Sequence, residues 1–355
     1  MSGLLLMVVF AAAATADAPP GVEADEEVVF YPTCAAFDKE QSKWRLPIRG
    51  CIYEPEKDSV KRTLLLKLLE KSLDLDPTDA EQPTFDKRGR ALLVDTKGGR
   101  KVSIRLGTKV YPAGESAENG LFETTIELSA GEVRELLQAE TVKDGWLHFR
   151  AAVRPGDGRV FEGAAQIVGR AGISVVSDID DTIKASEVRD RKALVRNMLL
   201  RPFEAVPGMS ALYSEWAKGG AAFHYVSDSP WQLYGALDEF LTASGFPRGS
   251  MDLKEWRWKD RSFFSLFESP EKTKPGALET LLEAHPDRKF ILVGDSGQKD
   301  PEIYGALATK HPGQVIRIYI RNITGEAADG ERFTKAFQDL PKGSWKVFTK
   351  PEELR

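Results

Sequence analysis

Four apolar runs in the second half of the chain, each separated from the next by a longer helical stretch, limit what this sequence can fold into. They are Ile173–Ser177, Ala221–Ser227, Lys289–Gly294 and Val315–Ile320. Short apolar runs without polar alternation describe strands buried on both faces. Their alternation with helices describes a parallel sheet with crossover helices. Three of the runs lead into polar residues, Asp178, Ser227 and Asp295. Ligands of open α/β sheets bind outside the carboxyl ends of the strands, so the pattern places two aspartates and a serine on one edge.

The first half follows a different period. From Arg90 to Gly169, apolar residues alternate with polar ones, and Ala91–Asp95, Lys101–Leu106, Leu121–Leu128, Gly145–Val153 and Arg159–Val168 read as strands, as does the earlier Glu27–Tyr31. Pro155-Gly156-Asp157-Gly158 is a turn signal between the last two strands. Ser59–Asp76 carries leucines at helical spacing with lysines between them, and Pro77 ends it. The expected fold is α/β: a Rossmann-like parallel sheet with flanking helices over 170–355, preceded by a smaller, mostly antiparallel β domain with a helical insertion over 17–169.

The chain opens with MSGLLLMVVFAAAATA, in which Leu4 to Ala14 is apolar and Ala14-Thr15-Ala16 is a small-x-small cleavage pattern. An apolar run of this length is too short to span a bilayer. It reads as a signal peptide over 1–16, making the mature protein periplasmic or extracellular. An uncleaved anchor is the alternative. Export gives meaning to the two cysteines, Cys34 and Cys51: an even pair suggests a disulfide, against the alternative of two buried thiols.

Ile173 to Thr182 reads ISVVSDIDDT, a buried strand running into three aspartates. Asp178 and Asp180 are two positions apart, so both can face one pocket as the strand ends. Like charges packed there are costly unless a cation neutralises them, and Mg²⁺ accepts carboxylate and carbonyl oxygens octahedrally. A second acidic cluster, Asp295 to Asp300 in GDSGQKD, follows another strand and can complete the same ion. Between them, Phe223 to Ser229 ends in hydroxyls suited to a phosphate oxygen. Lys272 and Lys274 precede a helix expected over 276–285 and offer a compact positive charge.

Asp178-Ile179-Asp180-Asp181-Thr182, the strand ending in Ser227, a lysine, and Gly294 to Asp300 resemble, in order, the four motifs of the haloacid-dehalogenase-like (HAD) phosphohydrolases. Val226 to Trp231 (VSDSPW), Phe290 to Gly297 (FILVGDSG), Asp300 to Tyr304 (DPEIY), Val206 to Met209 and Tyr319 to Arg321 resemble, more narrowly, the catalytic domain of the actin-patch-associated phosphatidate phosphatase family over about 173–322. The resemblance implies Asp178 as nucleophile and Asp180 as general acid and base. It implies Mg²⁺ held by Asp178, the Asp180 carbonyl, Asp295 and Asp300, and phosphoryl contacts from Thr182, Ser227 and Lys274. Two positions depart from the pattern: Asp228 stands where asparagine is expected, and Thr273 stands where histidine would precede the lysine.

The implied activity is Mg²⁺-dependent phosphomonoester hydrolysis through an aspartyl-phosphate, on phosphatidate-type lipids. A phosphatase for soluble or sugar phosphates, and a non-enzymatic protein binding lipid or polysaccharide, are the other readings. The intact Asp178, Asp180 and Asp295 argue against the last. Arg189–Arg201 and Glu255–Lys259 mix cations with apolar residues. Either can meet an anionic lipid surface, or be a solvated helix face and a packed aromatic segment. Lys+Arg is 49 against Asp+Glu 54, a net charge of −5 with no basic stripe, so nothing favours a nucleic-acid partner. His148, His224, His285 and His311 form no zinc spacing. Gly294 to Gln298 misses the GxSxG elbow because Gln298 replaces the second glycine.

Overall fold

The computed structural model describes residues 21–55, 60–138, 141–256 and 273–355. The leader read as a signal peptide lies outside them, as do Lys272 and the segment 257–259. The chain divides into two compact units. One runs to Pro55 and resumes over Asp95–Val168; the other takes Glu56–Val94 and Gly169–Arg355.

The first unit is a ten-stranded sheet, antiparallel except where Glu162–Ile167 runs beside Thr33–Asp38. Its longest strand, Lys43–Glu54, pairs with Glu27–Tyr31 and with Leu121–Ser129. Alternating residues of that strand, Leu46, Ile48 and Ile52, are fully buried, the period-two pattern of a sheet with one covered face. Phe30 meets Phe122 and Phe149 edge-on in the same core, at centroid separations of 5.8 and 5.1 Å.

The second unit holds a six-stranded sheet: β1 (Ile173–Ser177), β2 (Ala222–Pro230), β3 (Ser250–Lys254), β4 (Lys289–Asp295), β5 (Val315–Arg321) and β6 (Trp345–Phe348). The spatial order is 3-2-1-4-5-6 and every pairing is parallel. This is the doubly wound order, whose ligand crevice lies where the strand order reverses, beside β1 and β4. The four expected strands are present within three residues of their expected ends, the largest difference being β2, which runs on from Ser227 to Pro230. The sequence pattern does not announce β3 and β6.

Its helices are α1 (Val60–Ser72), α2 (Gln82–Leu92), α3 (Arg191–Leu199), α4 (Met209–Lys218), α5 (Tyr234–Ala243), α6 (Thr273–Ala284), α7 (Asp300–Lys310) and α8 (Glu331–Ala336). Asp190 starts α3 by accepting from the backbone N–H groups of Lys192 and Ala193. Between β1 and β2 the ordered elements are the two helices α3 and α4, so no separate cap domain is inserted there.

Three expectations do not hold. Ala91–Asp95 is not a strand: Phe85, Arg88, Gly89 and Leu92 are buried at helical spacing, α2 runs through Leu92, and pairing is confined to Asp95–Thr96. The helical insertion does not group with the β unit. Arg88 on α2 donates to the carbonyls of Met198 and Arg201 at the end of α3, at 2.9 and 2.7 Å, and its guanidinium lies 3.7 Å from the Phe203 ring centroid. Cys34 and Cys51 are separate buried thiols, not a cystine. Ala36 faces Arg45 across the strand pair, which projects Cys34 opposite Pro47, four positions from Cys51. At about 3.3 Å per residue that separation exceeds the ~7 Å between Cα atoms that a disulfide spans.

Candidate active site

β1 and β4 are neighbours, with Ser177 opposite Val293, so the residues that follow them emerge together. The Asp178 N–H donates to the Val293 carbonyl at 2.9 Å, carrying the pairing one step beyond β1 and fixing the Asp178 side chain at the sheet edge. Asp295 is the last residue of β4, and Asp300 opens α7 with Pro301 behind it. A carboxylate in the first turn suits the helix dipole. Oxygens of Asp178, Asp295 and Asp300 all lie within 4.8 Å of one another, and the three residues are buried.

Lys274, at the start of α6, reaches into this trio. Its ammonium donates to Asp178 Oδ1 at 3.0 Å and to Asp300 Oδ1. Asp178 Oδ2 accepts from the Thr182 hydroxyl at 2.9 Å. Asp300 Oδ2 accepts from the Asp295 N–H at 3.1 Å, and Asp295 Oδ1 from the Gly297 N–H at 2.6 Å. Among the described residues, Asp295 Oδ2 is buried with no hydrogen-bond partner.

Burial pushes the Asp178 carboxyl up to about 8; Lys274 opposes this, and the charges of Asp300 and Asp180 add to it. Burial, then Asp300 and Asp178, hold Asp295 well above the carboxylate range. Burial alone would lower Lys274, but Asp178 and Asp300 raise it well above an ordinary lysine. Among the described residues, one ammonium thus stands against three crowded carboxylates, one of which has an orphaned oxygen. A hard divalent cation with oxygen ligands fits such a donor set.

Asp180 turns to different partners. Its Oδ1 lies 2.6 Å from the buried Lys184 ammonium and accepts from Ser186 at 2.8 Å. Its Oδ2 accepts from Ser227 and Ser229 at 3.0 and 2.9 Å. Burial would raise this carboxyl, but Lys184 and the hydroxyls outweigh it and hold it at about 2. Sequence reasoning misses Lys184 and Ser186, and takes Ser229 only as one of the strand-end hydroxyls facing a phosphate, not as a partner of Asp180. Ser229 has a signal: it lies two positions after Ser227 on one strand, hence on the same face. Lys184 sits in an irregular turn where no period applies.

The third aspartate of the motif is architectural. Asp181 has φ +56°, in the left-handed region, and is buried. Its carboxylate accepts from the N–H groups of Ser186, Glu187 and Val188 at 2.8, 2.9 and 2.6 Å, and its carbonyl from Arg321 at 2.5 Å. Gly297 leaves room for its neighbours: a Cβ there would stand 2.5 Å from Ile323 Cδ1 and 2.9 Å from both Asp295 Oδ1 and Val188 Cγ2, and would have to displace those side chains.

The structure therefore gathers Asp178, Asp180, Thr182, Ser227, Lys274, Asp295 and Asp300 at one sheet edge. Asp228 lies half-buried between Ser227 and Ser229. His224 is a core residue between Ser250 at 2.7 Å and Ser174 at 3.0 Å, and burial keeps its imidazole well below the usual range. Trp256 is 3% exposed and its carbonyl accepts from the Trp231 indole and the Gln232 amide, so it is packed and not displayed to a membrane. Arg191 and Lys192 are exposed.

Residues 173–322 match the family model described as the catalytic domain of phosphatidate phosphatase APP1. The resemblance read from the motifs holds over that segment. Phosphatidate phosphatase APP1 of Saccharomyces cerevisiae is 35% identical over 170 residues, 46% of this chain and 28% of that protein. The uncharacterized protein C29B5.04c of Schizosaccharomyces pombe is 32% identical over 164 residues, covering 45% and 27%. The chain thus spans a little over a quarter of the length of these two curated relatives. A putative beta-phosphoglucomutase from Thermotoga maritima aligns with 52% of this chain and 96% of its own at 12% identity and TM-score 0.30, a likeness too slight to bear on the fold.

Proposed function

We propose that this protein is a Mg²⁺-dependent phosphomonoester hydrolase of the HAD type, acting through an aspartyl-phosphate on Asp178, with phosphatidate-type lipids as substrate. The carrying observation is the trio Asp178, Asp295 and Asp300, with its orphaned Asp295 oxygen, at the reversal point of a 3-2-1-4-5-6 sheet. The APP1-type match over 173–322 supports the substrate class. The export read from the leader belongs to the same proposal.

Asp178, Asp295 and Asp300 would hold the cation, with the Asp180 carbonyl. When bound, it would neutralise the trio and stabilise charge developing on the phosphoryl oxygens. A carboxylate attacks only when ionised, so the high affinity of Asp178 for a proton in the metal-free trio must be relieved before reaction. Lys274 orients Asp178 through Oδ1 and Thr182 through Oδ2, a two-point hold that fixes the attacking oxygen.

In the first step an Asp178 oxygen bonds to phosphorus as the bond from phosphorus to the ester oxygen breaks. Asp180 gives its proton to the departing oxygen. In the second step Asp180, now a carboxylate, takes a proton from water whose oxygen attacks phosphorus, releasing phosphate and Asp178. The cradle holds Asp180 ionised, the form for the second step. For the first step, an arriving phosphate dianion raises its proton affinity by like charge, and competes for the hydroxyls of Ser227 and Ser229.

The test is phosphate release by the purified chain from phosphatidate in mixed micelles and from glycerol phosphate, with Mg²⁺ or EDTA. Metal-dependent release from phosphatidate alone, lost in Asp178→Asn, is expected. Release from glycerol phosphate alone would keep the chemistry and overturn the lipid substrate. Release from neither would overturn the proposed activity on these substrates.

A further inference from the structure

Arg332 lies on α8, ten positions beyond the APP1-type match, yet its guanidinium is spent on the loop that carries the acidic cluster. It donates to the Ser296 carbonyl at 2.5 Å and to the Gln298 carbonyl. These two carbonyls bracket Gly297, whose own N–H holds Asp295 Oδ1. The same guanidinium binds both oxygens of Glu302, at 2.7 and 3.1 Å, in the first turn of α7, whose first residue is Asp300. Glu326 adds a longer contact at 3.4 Å. One planar fork therefore clamps the loop behind Asp295 and the helix that presents Asp300.

We infer that Arg332 is a positioning residue for the metal site: it sets the peptide planes around Gly297 so that Asp295 Oδ1 is occupied and Oδ2 faces the cluster. The inference rests on the reading of Asp178, Asp295 and Asp300 as metal ligands. Arginine suits this work where lysine does not. Its donors diverge in a fixed plane, so two carbonyls and a carboxylate can be held at once. Gly297 itself is closely surrounded by the side chains of Ile323, Val188 and Asp295. Partners that orient metal ligands through hydrogen bonds characteristically change metal affinity by about 10- to 100-fold when removed.

The experiment titrates the full chain with Mn²⁺ and reads the free ion by electron paramagnetic resonance, with no substrate present. Wild type, Arg332→Met and Arg332→Lys are compared at one temperature well below all of their thermal midpoints. Arg317→Met serves as control, because Arg317 also braces a carbonyl, that of Gly343, away from the acidic cluster. Both Arg332 variants should bind Mn²⁺ at least about tenfold more weakly, with the control unchanged. A purely structural role would lower the thermal midpoint and leave the affinity of the folded protein intact, which would overturn the inference. If Arg332→Met does not fold, Glu302→Gln tests the same clamp, and an unchanged Mn²⁺ affinity there is equally decisive against it. Absence of Mn²⁺ binding by wild type is a different failure, since it removes the metal site itself.

Discussion

Asp178 and Asp180 are two residues apart, both buried, and chemically opposite. Asp178 sits among Asp295 and Asp300 with the Lys274 ammonium beside them, and its carboxyl rises to about 8. Asp180 sits against its own ammonium, Lys184, with three serine hydroxyls around it, and falls to about 2. Burial raises both, so burial does not distinguish them. The difference is set by what each oxygen faces: a surplus of negative charge on one side, a complete set of donors on the other. Two like side chains whose environments drive their proton affinities apart are how one site provides different acid–base roles.

The most severe way to break the comparison is to remove the reactive oxygen. Asp178→Asn should lower phosphate release by at least about 10³-fold, measured with saturating Mg²⁺, while far-ultraviolet circular dichroism stays unchanged. Residual activity within tenfold of wild type would displace Asp178 as nucleophile. On the other side, Lys184→Met strands the Asp180 charge without its ammonium. Breaking a buried pair from one end costs about 3–5 kcal/mol, read as a lower urea midpoint. The double variant Lys184→Met/Asp180→Asn should recover part of it. No recovery would mean that Lys184 stabilises the turn independently of Asp180.

The acidic side is legible in the amino-acid order because its logic is linear. An apolar run marks a buried strand, the aspartate after it lies at the sheet edge, and parallel neighbours bring Asp178 and Asp295 together. The donors around Asp180 are not legible in the same way. Ser229 follows from the strand period, but Lys184 and Ser186 reach Asp180 through a turn shaped by Asp181 at positive φ, which no periodicity encodes. The same limit applies elsewhere. The leucines of α1 declare a helix, whereas α2 is hidden because its buried set includes Arg88 and Gly89 beside Phe85 and Leu92. Cys34 and Cys51 look like a pair by number alone, and the strand register decides against it.

Metal and pH together sharpen the contrast. Without a cation, Asp178 and Asp295 keep protons in the folded state that the unfolded chain releases above about pH 4. Stability should therefore fall as pH rises from about 4 to 8, by up to about 1.4 kcal/mol per pH unit for each group. Asp178→Asn should flatten that slope. Mg²⁺ needs the ionised carboxylates, so its protection should grow with pH and vanish with EDTA. Thermal midpoints at pH 5 and 8, with Mg²⁺ or EDTA, check this. Equal Mg²⁺ protection at both pH values would argue that the ion binds elsewhere.

The smallest effect expected is Ser229→Ala. It removes one of two hydroxyls on Asp180 Oδ2 and leaves Ser227 in place, a loss of about 1–2 kcal/mol for one bond to a charged acceptor. Its signature is the pH at which it appears. Asp180 is depressed in the folded state, so its contribution is full above the unfolded carboxylate range and is lost as pH falls from about 4 toward 2. Removing a donor moves its folded affinity for a proton back toward the ordinary value, which leaves less to lose on acidification. Urea midpoints of wild type and variant should therefore differ most at pH 6, with the gap closing only as pH falls below about 3 toward 2. A gap that stays constant across that range would assign the loss to packing around Ser229, because a lost bond to a neutral partner does not follow the ionisation of Asp180.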